Sequence, residues 1–216
     1  IGKMEIEEKE IPQCPKGGIL VKVIACGICG GDIRNFRNGL RNGATDQIMG
    51  HEIGGEVVEV SGEDTGRKVG DRVAVGPDVS CGKCYYCRKG MVNLCNDHRM
   101  LGTHFPGGFA QYIALPRFVL ERGFVEPIPE GMSYDHAAFA EPVSGVLACQ
   151  ERAGISYGDT VVVIGDGPVG CLHMEAAKAR GASLIIMLAR GRIEQARKFG
   201  FEHLIYNKDP EEATRK

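Results

Sequence analysis

The sequence predicts an α/β chain in two parts, a β-rich region followed by the start of a parallel sheet. Three observations predict it. Through about residue 140, short runs of β-formers are cut by glycines. Near Ser133 the composition turns helical. From Thr160 onward, apolar β-branched runs alternate with stretches of helical period.

The strands of the first part are "ILVKVIAC" (19–26), "EIGGEVVEV" (52–60), "GDRVAV" (70–75) and "GFAQYIAL" (108–115). Several short strands of this kind suggest a compact β-rich domain or barrel. The helical stretch begins with Ser133 as an N-cap and stops at Gly154. Pro142 cannot lie inside a helix, so a break and a fresh helix start are expected there. Then come a strand (160–164), a glycine turn, a helix to about Arg180, a strand (184–188), a helix (193–199) and a strand (203–206). Buried β-branched strands joined by helices argue a parallel sheet.

The bulk composition is ordinary, with 43% hydrophobic and 25% charged residues in 216. A net charge of -2 offers no basic footprint for nucleic acid or anionic lipid. No apolar run is long enough to span a bilayer, and no secretory leader is visible. Nine cysteines, an odd number with repeated C-x-x-C spacing, fit metal binding and free thiols better than a disulfide framework. A reducing compartment, the cytoplasm, is expected.

Four cysteines carry the strongest single signal. In "CGKCYYCRKGMVNLC", Cys81, Cys84, Cys87 and Cys95 are spaced x2, x2, x7. Four thiolates can close a tetrahedron around zinc and leave no position for substrate, so such a site is structural. An iron–sulfur cluster is the rival occupant. In "MGHEIGGEV", His51 and Glu52 stand at the head of a strand. An imidazole and a carboxylate joined by one thiolate make an open, catalytic type of zinc site. The thiolate would come from "ACGICGGD", where spacing alone leaves Cys26 and Cys29 equivalent.

"VVVIGDGPVG" contains G-x-G-x-x-G at Gly165, Gly167 and Gly170, with Pro168 and Val169 completing the loop. It follows a strand and opens a helix, the context in which the pattern binds a dinucleotide pyrophosphate. The acidic residue that grips a ribose 2′-hydroxyl falls about 20 residues further on. That count lands on Met187, which cannot accept. Arg190 and Arg192 lie just beyond and suit a 2′-phosphate, hence NADP, or are solvated helix-start charges.

Taken in order, "ACGICGGD", "GHEIGGEVVEV", "VGDRVAV", the four-cysteine lobe, "GGFAQY", Glu141–Pro142 and "GDGPVG" resemble the zinc-dependent medium-chain dehydrogenase/reductase family, which includes alcohol, sorbitol and threonine dehydrogenases. The resemblance implies a GroES-like β-barrel catalytic domain over residues 1–140. A partial Rossmann NAD(P)-binding domain would follow over 141–216. It implies two zinc ions per chain, with the catalytic one on Cys29, His51 and a carboxylate at Glu52 or Glu141. Asp32 would orient the histidine, and Cys26 would not be a ligand. It implies NAD or NADP as cofactor and a small secondary alcohol, a polyol or sugar alcohol, as substrate. A homodimer or homotetramer is implied for the full-length protein.

One departure falls at the site itself. The family usually has Ser or Thr two residues after the ligand cysteine and often His three further on, and these relay the alcohol proton to water. Here those positions are Gly31 and Arg34. Neither an absent side chain nor a permanent guanidinium relays a proton. Three parallel strands, where a doubly wound dinucleotide fold has six, predict a fragment of a longer protein. A non-catalytic zinc-binding fragment and a thiol redox protein using Cys26 and Cys29 are the competing functional readings.

Overall fold

The structure, a computed structural model, describes residues 2–40, 42–63 and 65–206. The chain divides after Glu141 into two compact units. The first contains β1 (Ile19–Gly27), α1 (Gly30–Asn38), β2 (Glu52–Val60), β3 (Arg72–Gly76), β4 (Asp78–Val79), α2 (Tyr85–Arg88), β5 (Arg99–Met100), β6 (Tyr112–Leu115), α3 (Arg117–Arg122), β7 (Phe124–Pro127) and α4 (Tyr134–Ala138). The boundary falls in the first turn of α5 (Ala140–Ala153), and β8 (Thr160–Ile164), α6 (Pro168–Ala179), β9 (Leu184–Ala189), α7 (Ile193–Lys198) and β10 (His203–Tyr206) follow.

Five strands of the first unit form one antiparallel sheet in the order β6-β1-β2-β3-β7. Its core is aliphatic: Ile19, Val21, Ile53, Val57, Val73 and Leu115 are all almost wholly withdrawn from water. Burying each such side chain contributes roughly 1.5–3 kcal/mol. In β3 the alternation is direct, with Val73 and Val75 buried between less buried neighbours. The β1–β2 register sets Gly27 opposite Glu52 and Cys26 opposite Ile53. The end of β1 therefore lies beside the start of β2, and both candidate ligand stretches meet there. A separate pair, β4 and β5, sets Asp78 opposite Met100 and Val79 opposite Arg99, and so closes the neck of the four-cysteine lobe.

The second unit is a parallel sheet in the order β10-β9-β8. Val161, Val163, Met174, Met187 and Ala189 form its core. β8 alternates strictly: Val161 and Val163 are buried, while Val162 and Ile164 are exposed.

The structure departs from the sequence expectations in several places. Helix α1 was not anticipated, because "GGDIRNFRN" is too polar to show an apolar period. Its start is fixed by a cap instead, as described below. The expected strand 108–115 shortens to β6 at Tyr112–Leu115. Gly107 and Gly108 are laid against neighbouring backbone and core. A Cβ on Gly107 would stand 2.2 Å from the Gly50 oxygen, and one on Gly108 would stand 2.5 Å from Ile53 Cγ1. The helix break falls at Phe139 rather than Pro142. Pro142 sits in the first turn of α5, where a missing N–H leaves no bond unmade. Five further elements, α2, α3, β4, β5 and β7, were not foreseen. β7 tolerates Pro127 because it is an edge strand. Among the described residues no helix is long and apolar enough to cross a membrane.

Candidate metal centres and dinucleotide loop

The first cluster is built where β1 ends. Cys29 is the N-cap of α1, and its Sγ accepts the Gly31 N–H at 3.4 Å. Asp32 returns the contact, its Oδ2 accepting the Cys29 N–H at 2.9 Å. This reciprocal cap satisfies two backbone donors that a helix start otherwise leaves open. It also fixes Asp32, whose other oxygen faces His51 Nδ1 at 3.5 Å. That contact leaves Nε2 as the free ligand nitrogen of the imidazole. Sγ of Cys29, a ring nitrogen of His51 and a carboxylate oxygen of Glu52 all lie within 4.8 Å of one another.

Electrostatics follow from this packing. Burial opposes ionisation of Asp32, but the His51 imidazole and the Cys29 N–H hold its pKa below the usual range. The Asp32 carboxylate raises His51 to about 9 against the effect of burial. Burial pushes Glu52 upward, partly offset by His51. Glu141 is also pushed up, first by burial, and it feels the charges of His51, Glu52, Asp78 and Asp32. The structure thus brings Cys29, His51 and Glu52 into one cluster and puts Glu141 within electrostatic reach of it. A thiolate, an imidazole and a carboxylate suit zinc, which takes mixed sulfur, nitrogen and oxygen donors.

Cys26 is not in the cluster. It packs against the core of the first sheet, and burial pushes its thiol up to about 11. A thiol so placed is a poor nucleophile and a poor redox partner.

Gly27 is a site residue that sequence reasoning missed. A Cβ there would stand 2.0 Å from Glu52 Oε2, so the carboxylate occupies space that only glycine leaves. Nothing in the spacing signals it, because the contact exists only through the β1–β2 register.

The second cluster is local. Cys81, Cys84, Cys87 and Cys95 place their sulfurs within 4.8 Å of one another. Zinc–sulfur bonds of about 2.3 Å in a tetrahedron put sulfurs roughly 3.8 Å apart. The Cys81–Cys87 and Cys84–Cys87 separations are 3.9 and 3.5 Å. Backbone N–H groups point at the sulfurs, Cys81 N–H to Cys95 at 3.2 Å and Cys84 N–H to Cys81 at 3.4 Å. The Cys84 thiol is drawn down to about 6, first by the Asn96 backbone, while desolvation leads in pushing Cys87 up to about 11. The donor set fits a closed four-sulfur metal site. The contact of His98 Nε2 with Asp78 Oδ1 at 2.8 Å ties its neck.

In the second unit, Gly165 adopts φ +123°, a conformation that side chains rarely take. Gly167 is the N-cap of α6 and Pro168 its first residue. A Cβ on Gly170 would stand 2.0 Å from the Gly165 oxygen, so helix and turn pack in contact. Val169 is exposed on the helix start. The turn at Gly165 and the close packing at Gly170 are two of the glycine roles a dinucleotide loop uses. Met187, where the ribose carboxylate was sought, is fully buried in the sheet. The loop after β9 is instead tied to the glycine turn by Asp166. Its Oδ2 accepts the N–H groups of Arg190 at 3.1 Å, Gly191 at 2.8 Å and Arg192. Sequence reasoning missed this clamp, because Asp166 reads only as a variable position of the motif.

The model of the alcohol dehydrogenase GroES-like domain matches residues 15–130, more than half of the chain. The chain belongs to the zinc-type medium-chain dehydrogenase family. It is 40% identical over 209 residues to the sorbitol dehydrogenase of Bacillus subtilis, covering 94% of this chain and 58% of that one. It superimposes at TM-score 0.84 and 33% identity on a protein from Sinorhizobium meliloti 1021, described as a zinc-binding dehydrogenase bound to NADP, over 98% of this chain and 60% of that one. Galactitol-1-phosphate dehydrogenase from Escherichia coli matches at TM-score 0.83 and 29% identity, over 94% and 58%. The chain thus spans a little under three fifths of the length of the curated relatives it matches. Its fold is that of their GroES-like domain followed by part of a parallel dinucleotide-binding sheet.

Proposed function

We propose that this chain carries the catalytic-metal domain and the first half of the cofactor domain of an oxidoreductase acting on secondary alcohols. The observation that carries the reading is the convergence of Cys29, His51 and Glu52 within 4.8 Å, with Asp32 behind the histidine. When bound, zinc supplies Lewis acidity to an alcohol oxygen and a nicotinamide accepts the hydride. The chain's own residues hold and orient. Cys29, His51 and Glu52 supply the ligand atoms, with Glu141 as the neighbouring carboxylate. Asp32 fixes the imidazole. Gly165, Gly167 and Gly170 let a pyrophosphate approach the start of α6, and Arg190 and Arg192 stand at the loop where an adenosine ribose is read.

Cys81, Cys84, Cys87 and Cys95 hold a second, structural zinc. The substrate is a polyol or sugar alcohol, as in the sorbitol and galactitol-1-phosphate enzymes that the chain resembles. A reducing compartment suits nine free cysteines. The thiol redox reading is disfavoured by the burial of Cys26.

Metal counting tests the proposal. Zinc-loaded protein is expected to hold two ions per chain. Cys29→Ser should remove one and Cys26→Ser neither. Equal loss from both variants, or one ion with a Cys26–Cys29 disulfide that cycles, overturns it. Quenching and enhancement of NADH and NADPH fluorescence on titration of the protein reads the cofactor loop independently.

A further inference from the structure

In the second unit β8 and β9 pair with Ile164 opposite Leu188, so the glycine turn after one strand and the loop after the other emerge side by side. A dinucleotide fold places the acid that grips the adenosine ribose at the end of the second of these strands. Here β9 ends in Met187, Leu188 and Ala189. None of these side chains is a hydrogen-bond acceptor for a hydroxyl, and Met187 and Ala189 are buried in the sheet. A carboxylate reaches the same loop from the other strand instead. Asp166, two residues past the end of β8, lays Oδ2 on the N–H groups of Arg190, Gly191 and Arg192. Burial opposes its ionisation, but these backbone N–H groups hold its pKa below the usual carboxylate range. A full negative charge is therefore fixed where the turn that would receive a pyrophosphate meets the loop that would face the ribose.

The two nicotinamide cofactors differ at this place by a 2′-phosphate, which carries about -1.5 to -2 charges at neutral pH. Such a group would meet the Asp166 carboxylate. The main-chain donors that could hold it, fixed in direction, are already spent on Asp166 Oδ2. Arg190 and Arg192 remain to attract it, but both are exposed. An exposed ion pair gains little after solvent screening and loss of side-chain freedom. A ribose hydroxyl meets the opposite situation. It can donate to a carboxylate, and a hydrogen bond to an ionised acceptor is roughly twice as strong as a neutral one. The loop contacts of Asp166 all use Oδ2, which leaves Oδ1 with acceptor capacity.

We propose that Asp166 selects the cofactor: its carboxylate takes a hydroxyl of the adenosine ribose and turns a 2′-phosphate away, so that the enzyme uses NAD rather than NADP. The acid that reads the ribose then comes from inside the glycine motif and not from the end of β9. Arg190 and Arg192 are solvated charges in this scheme. The inference rests on the dehydrogenase reading above and narrows its cofactor to one.

Titration of the full-length enzyme with NADH and with NADPH, read by nicotinamide fluorescence, tests this. NADH is expected to bind about ten- to a hundredfold more tightly, the scale of a hydrogen bond to a charged group. Asp166→Asn keeps an oxygen for the backbone N–H groups and removes the charge. The loop should therefore stay in place while the NADH preference falls about tenfold or more, through tighter binding of NADPH. Asp166→Ala also frees the N–H groups and should bring NADPH level with NADH or ahead of it. A residue that only held the loop would, when replaced by alanine, weaken both nucleotides in parallel and leave their ratio alone. That outcome overturns the proposal, as does unaltered enzyme that binds NADPH as tightly as NADH. In either case a bound nucleotide leaves the dehydrogenase reading standing. Failure of the unaltered enzyme to bind either nucleotide overturns both.

Discussion

The two candidate metal clusters are built by opposite strategies. The four-sulfur lobe draws every ligand from one short stretch, and a hairpin neck of β4 and β5 closes it. The Cys29–His51–Glu52 cluster draws its candidate ligands from just past the end of β1 and the start of β2, and it exists only because their register sets Gly27 opposite Glu52. Among the described residues, none of positions 81–95 belongs to either hydrophobic core. The second cluster is supported by the aliphatic sheet around Ile53 and Val21. Metal in the lobe is accordingly expected to supply folding free energy, while metal in the sheet cluster is expected to rest on a scaffold that folds without it.

Removing one sulfur from the lobe gives the largest expected effect. Structural zinc contributes on the order of 10 kcal/mol in small zinc domains. Cys84→Ser is therefore expected to lose the lobe ion, lower Tm by more than about 5 °C and expose residues 81–95 to protease. Cys29→Ser should lose its ion with a much smaller change in Tm. Equal Tm losses in the two variants would break the contrast between a metal-built and a scaffold-built site.

Asp32→Asn gives the next largest effect and sharpens the same contrast. The amide can still accept the Cys29 N–H, so the helix cap survives. What is lost is the charge that holds His51 in place. Metal affinity at the sheet cluster should fall about ten- to a hundredfold, the usual cost of losing a partner that orients a ligand histidine. Competition with a chromogenic chelator should show only the ion at the sheet cluster affected. A matching loss at the lobe would mean that Asp32→Asn disturbs the whole first unit.

The contrast also explains what could be read from the sequence. The lobe was legible because its ligands are neighbours and their spacing is itself the geometry. The strands of the second unit were legible because each is an apolar run of its own. The sheet cluster was only half legible. His51 and Glu52 announce themselves as a pair, but spacing treats Cys26 and Cys29 alike, and only the resemblance separated them. The structure adds a physical reason: the side chain of Cys26 is turned into the core, whereas Cys29 caps a helix that polar composition had concealed. Asp166 was illegible because its partners are backbone N–H groups some 25 residues away, and these carry no sequence signature.

Gly27→Ala tests the smallest effect and the finest point of the comparison. Gly27 lies in β1 without a positive φ, so alanine suits its backbone. The added Cβ meets Glu52 Oε2 at 2.0 Å and the Glu52 Cβ and Cδ at 3.1 Å. The oxygen is the end of a flexible side chain and can swing away with little cost to the sheet. The expected outcome is a nearly unchanged Tm together with a several-fold loss of metal affinity at the sheet cluster. The same substitution made on Glu52→Gln should cost less, because there is no ligating carboxylate left to displace. Such non-additivity marks residues in contact. Full additivity would show that Gly27→Ala acts through the strand rather than through the carboxylate. The lobe offers no equivalent experiment, since its ligands are placed by their own chain and not by the side chain that a neighbouring strand lacks.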